Sequence, residues 1–295
     1  MENFNPVLLE LARQTLEEDT VQRDVTTTSL EEFLKSRGDA LPEKVGFEIR
    51  AKESGIFSGA VWAQAIAVQM GLVIDTHLSE GEDFVPGDVV CSGRGSPQSI
   101  LAAERSLLNG MQYACGVAVR TNEYVEAVQS VWTRAGYAGS APTVHHTRKT
   151  PPGLRELALR AVEAGGGERH RKDLSDRILF KENHKYFLLK NAHELQDYVA
   201  YLVTWGFEDF IVEVENFEEA LACAQAGAPH LLLDNFTPEQ VKEFVDSSQF
   251  SGEVEVSGGL SLERIGDYCY PGVTRFSVGS LTRDVRTVDL SLDWI

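Results

Sequence analysis

Residues 210–259 read FIVEVENFEEALACAQAGAPHLLLDNFTPEQVKEFVDSSQFSGEVEVSGG. Three short apolar runs, Phe210–Val214, His230–Leu233 and Glu253–Val256, alternate with helical patterns at 216–226 and 237–247. Working outward, the alternation continues through Arg177–Phe180 upstream and Arg275–Val278 downstream. Further helices are predicted at 117–134, 153–164, 191–205 and 261–268. The runs fall roughly 20–30 residues apart, one βα unit each, which predicts parallel strands joined by right-handed crossovers. The ends of these runs carry, in order, Lys181, Glu213, Asp234, Ser257-Gly258-Gly259 and Gly279-Ser280. An α/β barrel builds its site from all of its strand ends, whereas an open doubly wound sheet uses one crevice. A polar or glycine group at every strand end therefore favours a closed or nearly closed ring.

Upstream of residue 117 the pattern is mixed. Residues 5–18 carry a helical stripe of Leu8, Leu9, Leu11, Ala12 and Leu16. Phe47–Phe57 reads as a strand followed by a Gly55 turn, and Trp62–Met70 as a helix ended by Gly71. Val73–His77 and Val89–Ser92 read as strands separated by a Pro86-Gly87-Asp88 turn, and 99–113 as a helix. At the other end, Val288, Leu290, Leu292 and Trp294 alternate with Asp289, Ser291 and Asp293, a half-buried strand with no barrel helix after it. The predicted fold class is α/β: a barrel domain at 117–283 beside a smaller α+β N-terminal sandwich domain at 1–116. The tail, 284–295, returns to complete the smaller domain's sheet.

Composition narrows the function. A net charge of −18 disfavours nucleic acid and anionic membranes as partners. No run of 18 apolar residues is present to span a bilayer, and Met1–Glu10 has no signal-peptide pattern. Cys91, Cys115, Cys223 and Cys269 form no close pair, which argues against zinc or disulfides and predicts reduced, buried thiols in a cytoplasmic protein. Against this acidic background, residues 145–190 carry eleven Lys or Arg and six acids, a local charge of +5. A cationic island in an acidic protein suits a small, multiply charged anion, although two helices with solvated basic faces would give the same count.

The motifs sharpen that reading. Glycines after the last two strands, Gly258-Gly259 and Gly279 with Ser257 and Ser280, permit close backbone approach to a phosphate. Glu213 and Asp234, one strand apart, can hold Mg²⁺ through water, bind sugar hydroxyls or act as an acid/base pair; Glu215 is a nearby competitor. Thr147-Arg148-Lys149 and His170-Arg171 offer cationic forks for carboxylates and phosphates. Phosphate loops, paired acids and fixed cations fit a sugar pyrophosphate plus an acidic second substrate. No Walker loop, G-x-G-x-x-G or hydrolase triad is present.

Taken in order, "ERSLLN" with Glu104, Arg105 and Asn109, "TRKTPPGLR" at 147–155, "GGGERHRKDL" at 165–174, "FKENH" at 180–184, "VEVEN" at 212–216, "LLLDNF" at 231–236, "VSGGL" at 256–260 and "SVGSLT" at 277–282 resemble the quinolinate phosphoribosyltransferase family over nearly the whole chain. The resemblance implies an incomplete barrel of about seven strands. It also implies homodimers, or assemblies of dimers, whose sites are completed by the neighbouring subunit. It implies transfer of phosphoribosyl from phosphoribosyl pyrophosphate to quinolinate with decarboxylation, using Mg²⁺ and no organic cofactor. By residue, it assigns Arg105 to the pocket of the other subunit, and Arg148, His170, Arg171 and Lys181 to the substrate carboxylates. It places Lys149 near the pyrophosphate and ribose phosphate, and Glu213 and Asp234 around the ribose hydroxyls and Mg²⁺. Ser257, Gly258, Gly259, Gly279 and Ser280 fall at the 5′-phosphate. Lys149, Lys181, Glu213 and Asp234 form the expected catalytic set. His146, Arg169 and Glu182 depart from the usual pattern of aspartate, asparagine and aspartate. Two other readings stay open: a same-fold enzyme with another acceptor, like the molybdenum-transport-associated relatives, and a catalytically silent phosphosugar-binding protein.

Overall fold

Asn5 opens the first helix, α1 (Pro6–Glu18). Its side chain accepts from the Val7 and Leu8 amides, Pro6 occupies the first turn, and Leu8, Ala12 and Leu16 are buried on one stripe. This is a computed structural model describing residues 5–190 and 194–295. A helix that the sequence did not suggest comes next, α2 (Val25–Ser36), capped by the Asp24 carboxylate. It buries only Thr27, so no apolar stripe announces it. Then come β1 (Val45–Ala51), β2 (Gly55–Ile56), α3 (Ala60–Met70, ended as expected by Gly71 at φ 65°), β3 (Val73–Thr76), β4 (Asp83–Phe84) and β5 (Val89–Gly95). The helices predicted at 99–113 and 117–134 are one continuous helix of 39 residues, α4 (Pro97–Ala135). Gly116 does not end it. A Cβ there would sit 2.4 Å from the Arg286 carbonyl oxygen, so this glycine serves close approach, not termination.

The remaining chain supplies β6 (Thr143–His146), α5 (Arg155–Ala164), β7 (Ile178–Phe180), α6 (Glu182–Lys190), α7 (Leu195–Thr204), β8 (Phe210–Val214), α8 (Phe217–Gln225), β9 (His230–Asp234), α9 (Pro238–Ser248), β10 (Glu253–Ser257), β11 (Arg275–Val278), α10 (Ser280–Arg283) and β12 (Leu290–Trp294). Six strands pair in parallel in the order β6-β11-β10-β9-β8-β7, an incomplete barrel as expected. Among the described residues an isolated parallel bridge adds to this sheet. The Glu168 amide donates to the Val144 carbonyl at 2.8 Å, pairing Glu168 with His145 on the outer edge of β6. β8 is buried at all five positions, the mark of a strand covered on both faces.

Other departures have local causes. The helix predicted over 261–268 is a short 3₁₀ turn, Ile265–Tyr268, because the Ser261 carbonyl accepts from both the Arg264 and Ile265 amides and tightens the chain. The sequence did not suggest α6, which inverts the usual pattern: Tyr186, Phe187 and Leu189 are exposed while Lys185 is buried between Glu215 and Glu219. Glu215 is thus a partner of Lys185, and Asn216 caps α8. Residues 191–193, the predicted start of the 191–205 helix, lie outside the described residues.

By contacts the chain forms two compact units. One holds the chain up to Arg120, Thr150–Gly166 and Thr282–Ile295; the other holds Thr121–Lys149 and Gly167–Leu281. In the first, the antiparallel sheet runs β12-β1-β5-β3, so the tail does complete it, with Phe47 opposite Trp294 and Ala51 opposite Leu290. Helix α5 belongs to this unit, where the Asn5 side-chain amide donates to Glu156 at 2.8 Å. All four cysteines are free and buried, and burial pushes each thiol up to about 12. Among the described residues no helix is long and apolar enough to cross a membrane.

Candidate active site

Strand register brings the polar strand ends of the second unit together. Because side chains alternate along a strand, Leu179 and Lys181, Leu232 and Asp234, and Glu255 and Ser257 fall on one face, with Glu213 and Ser277 beside them. They line a cleft of about 490 Å³ with Thr147, Arg148, Lys149, His170, Arg171 and Glu182. The cationic segments Thr147–Lys149 and His170-Arg171 therefore converge on the same space as the acids of β8 and β9.

Lys181 Nζ donates to Glu213 Oε2 at 2.8 Å, and the Glu182 amide lies 3.4 Å from Glu213 Oε1. Burial, then a hydrogen bond with the Glu182 carboxyl, raises the pKa of Glu213, while Lys181 pulls it back. Glu182 moves the opposite way, its pKa lowered chiefly by that same bond. Burial likewise raises Asp234, opposed by Lys181 and Lys149. On the cationic side, burial and the like charge of Arg148 lower the pKa of Arg171. Arg148 Nε is buried with no hydrogen-bond partner. Two guanidinium groups held close, one with an orphaned donor, are poised for an anion.

The glycine positions have steric reasons. Gly258 takes φ +92°, and a Cβ there would lie 2.2 Å from Asn235 Oδ1. Asn235 itself adopts φ 58°, and its amide donates to the Ser257 carbonyl at 2.9 Å. A Cβ on Gly279 would approach Lys149 Cδ to 3.1 Å, so this glycine leaves room for the lysine stem. Ser280 Oγ is 3.1 Å from the Tyr124 hydroxyl. Arg105 is not among the residues lining this cleft. It sits on α4 in the first unit, 71% exposed, with Glu104 at 3.7 Å. Of the three departures from the family pattern, only Glu182 lines the cleft. His146 is buried, its Nδ1 3.0 Å from the Thr147 carbonyl, and the Arg169 carbonyl meets His145 Nδ1 at 3.1 Å.

The sequence reading missed a polar network in the floor of the cleft. Reading Glu253–Val256 as an apolar run overlooks its alternation, which places Glu253, Glu255 and Ser257 on one face. Glu255 is fully buried. It accepts from Ser277 Oγ and, at 3.1 Å, from His170 Nε2. His230 Nε2 lies 2.8 Å from Glu255 and its Nδ1 3.2 Å from Glu253, both off the line of a hydrogen bond. Burial alone would raise the Glu255 pKa; the His170 hydrogen bond and the close approach of the His230 ring hold it below the usual carboxylate range. His145 is lowered to about 4, mainly by burial.

Models of the quinolinate phosphoribosyl transferase N-terminal and C-terminal domains match residues 24–115 and 117–293. The chain belongs to the quinolinate phosphoribosyltransferase family. It is 30% identical to a probable carboxylating nicotinate-nucleotide pyrophosphorylase of Methanothermobacter thermautotrophicus, over 97% of this chain and 98% of that one. It is 32% identical to the human carboxylating nicotinate-nucleotide pyrophosphorylase, over 82% and 80%. Among solved structures, the nicotinate-nucleotide pyrophosphorylase of Francisella tularensis superposes with a TM-score of 0.83 at 27% identity, covering 98% of this chain and 96% of that one. This family membership agrees with the incomplete barrel and the separate N-terminal domain.

Proposed function

We propose that this chain transfers phosphoribosyl from phosphoribosyl pyrophosphate to quinolinate with decarboxylation, giving nicotinate mononucleotide, CO₂ and pyrophosphate. The observation that carries the reading, in a member of this family, is one cleft that faces Arg148, Lys149, His170, Arg171 and Lys181 against Glu213 and Asp234. Arg148, His170, Arg171 and Lys181 hold the two carboxylates of the pyridine ring. A dianion there supplies the orphaned Arg148 Nε with an acceptor and relieves the repulsion between Arg148 and Arg171. Lys149 meets the pyrophosphate, and Ser257, Gly258, Gly259, Gly279 and Ser280 surround the 5′-phosphate.

As pyrophosphate departs, the ribose gains positive charge at its anomeric carbon, which Glu213 and Asp234 stabilise while Lys149 stabilises the leaving anion. The ring nitrogen bonds to that carbon and becomes cationic. The adjacent carboxylate then leaves as CO₂; its bonding electrons stay on the ring carbon, stabilised by the neighbouring cationic nitrogen, until that carbon takes up a proton from water. Among the described residues no cluster of three or more metal-ligating side chains is present. Two carboxylates on neighbouring strands would suit a magnesium ion held at a distance. Glu213 and Asp234 would hold it through water, and it would neutralise charge on the leaving group. The working form in this reading is a cytoplasmic homodimer or assembly of dimers, in which the partner's Arg105 reaches the cleft; its exposure on α4 supports that role.

The test is turnover and calorimetric binding with quinolinate and with nicotinate. Losing one carboxylate leaves desolvated cations unpaired, so nicotinate binds about 10²- to 10³-fold more weakly. Equal affinity for the two acids overturns the dicarboxylate assignment.

A further inference from the structure

Among the groups converging on the cleft, His170 stands apart because the ring nitrogen Nε2 is already committed. It faces Glu255 at 3.1 Å, and the His170 side chain is only 6% exposed. A carboxylate can only accept here, so Nε2 carries a hydrogen, and a second carboxylate in the cleft must be met by a hydrogen on Nδ1 as well. A ligand in the cleft can then use only Nδ1 among the ring nitrogens. Glu255 is equally constrained. Its second oxygen accepts from Ser277 on β11, and Oε2 also lies near His230 on β9. One fully buried carboxylate thus bonds β10 to β11 and to the loop that carries His170.

We propose that Glu255 is a positioning residue for the acidic substrate: its carboxylate takes the Nε2–H of a His170 ring that carries a hydrogen on each nitrogen, and so fixes the ring with Nδ1–H donating to a carboxylate in the cleft. Glu255 lies in the floor of the cleft with its side chain fully buried, so it acts on the substrate through His170. The proposal rests on the reading of the cleft as a dicarboxylate site, and it adds a specific route by which the β10 interior sets affinity for that substrate.

The test is a double-mutant cycle between Glu255→Gln and His170→Ala in the full-length enzyme, with KM, kcat and thermal midpoint measured for each variant. Glutamine keeps the shape and an acceptor for Ser277 but offers His170 an amide in place of a carboxylate. KM for quinolinate should rise about 10- to 100-fold in Glu255→Gln. Turnover at saturation and KM for phosphoribosyl pyrophosphate should stay within about threefold of wild type. The double variant should lose no more than about threefold beyond His170→Ala alone, since both changes remove one interaction. Additive losses, or a fall in turnover with quinolinate KM unchanged, overturn the assignment. Glu255→Asp, which keeps the charge but withdraws it from His170, runs through the same cycle if the glutamine variant does not fold and should show a smaller rise in KM. If neither variant folds, Glu255 is a scaffold residue and the proposal falls. The wild-type comparison of quinolinate with nicotinate separates the two readings. Without discrimination there, the dicarboxylate site fails and takes this proposal with it. With discrimination and an additive cycle, only the Glu255 role fails.

Discussion

Below the mouth of the cleft, the two sides of the barrel are built differently. Beneath Lys181, Glu213 and Asp234 lie Leu179, Ile211 and Leu232, which pack as one apolar cluster on β7, β8 and β9. Beside Ser257, on β10, β11 and β6, lie Glu255, Ser277 and His145, linked by hydrogen bonds to one another or to the His170 loop. The apolar side withdraws water from the acids and raises their pKa. The polar side fixes orientations. Neighbouring strand ends of one barrel thus receive tuning of charge from one side and tuning of geometry from the other.

The largest expected effect breaks the apolar side. Leu232→Ala leaves a cavity and should cost about 2–5 kcal/mol, read as a lower urea midpoint. A loss of activity without a loss of stability would mean that the cluster is not the support described. Next, Asp234→Asn should lower kcat about 10²-fold, close to 2.7 kcal/mol, with little change in quinolinate KM. Collapse of quinolinate binding at unchanged turnover would place Asp234 on the wrong substrate. Gly258→Ala should rank third, at about 1–3 kcal/mol, since it forces a Cβ against Asn235 at a positive φ. A fully stable alanine variant would show that the β9–β10 strand ends can part freely.

The smallest effect is a pH dependence. The folded-state pKa of Asp234 is raised, so its stability contribution is fully present below the unfolded carboxylate pKa of about 4 and is lost as pH rises through the folded value. Asp234→Asn should therefore gain thermal stability relative to wild type at neutral pH, and the gain should vanish in acid. Equal differences at pH 3 and pH 7 would show that the burial of this acid carries no energetic strain.

Much of the cleft was legible because its residues sit where strand runs end, and runs are what hydrophobic periodicity marks. Lys181, Glu213, Asp234 and Ser257 could be found that way. Glu255 could not, since a carboxylate between two valines in a buried strand looks like a surface alternation until its partners on β9 and β11 are known. Helix α2 was silent because it buries almost nothing, and α6 because its inward residue is a lysine. The gap expected between the helices at 99–113 and 117–134 is absent because Gly116 sits inside α4, against the Arg286 carbonyl.

The unbroken helix Pro97–Ala135 has a practical consequence for dissecting the protein. The boundary between the two family domains falls within it, at residues 115–117. A chain severed there would expose roughly four amides on one fragment and four carbonyls on the other, each stripped of a partner. Neither fragment would inherit a natural end. Expression of the halves as independent pieces should begin from cuts outside Pro97–Ala135, leaving the rod whole in whichever piece keeps it.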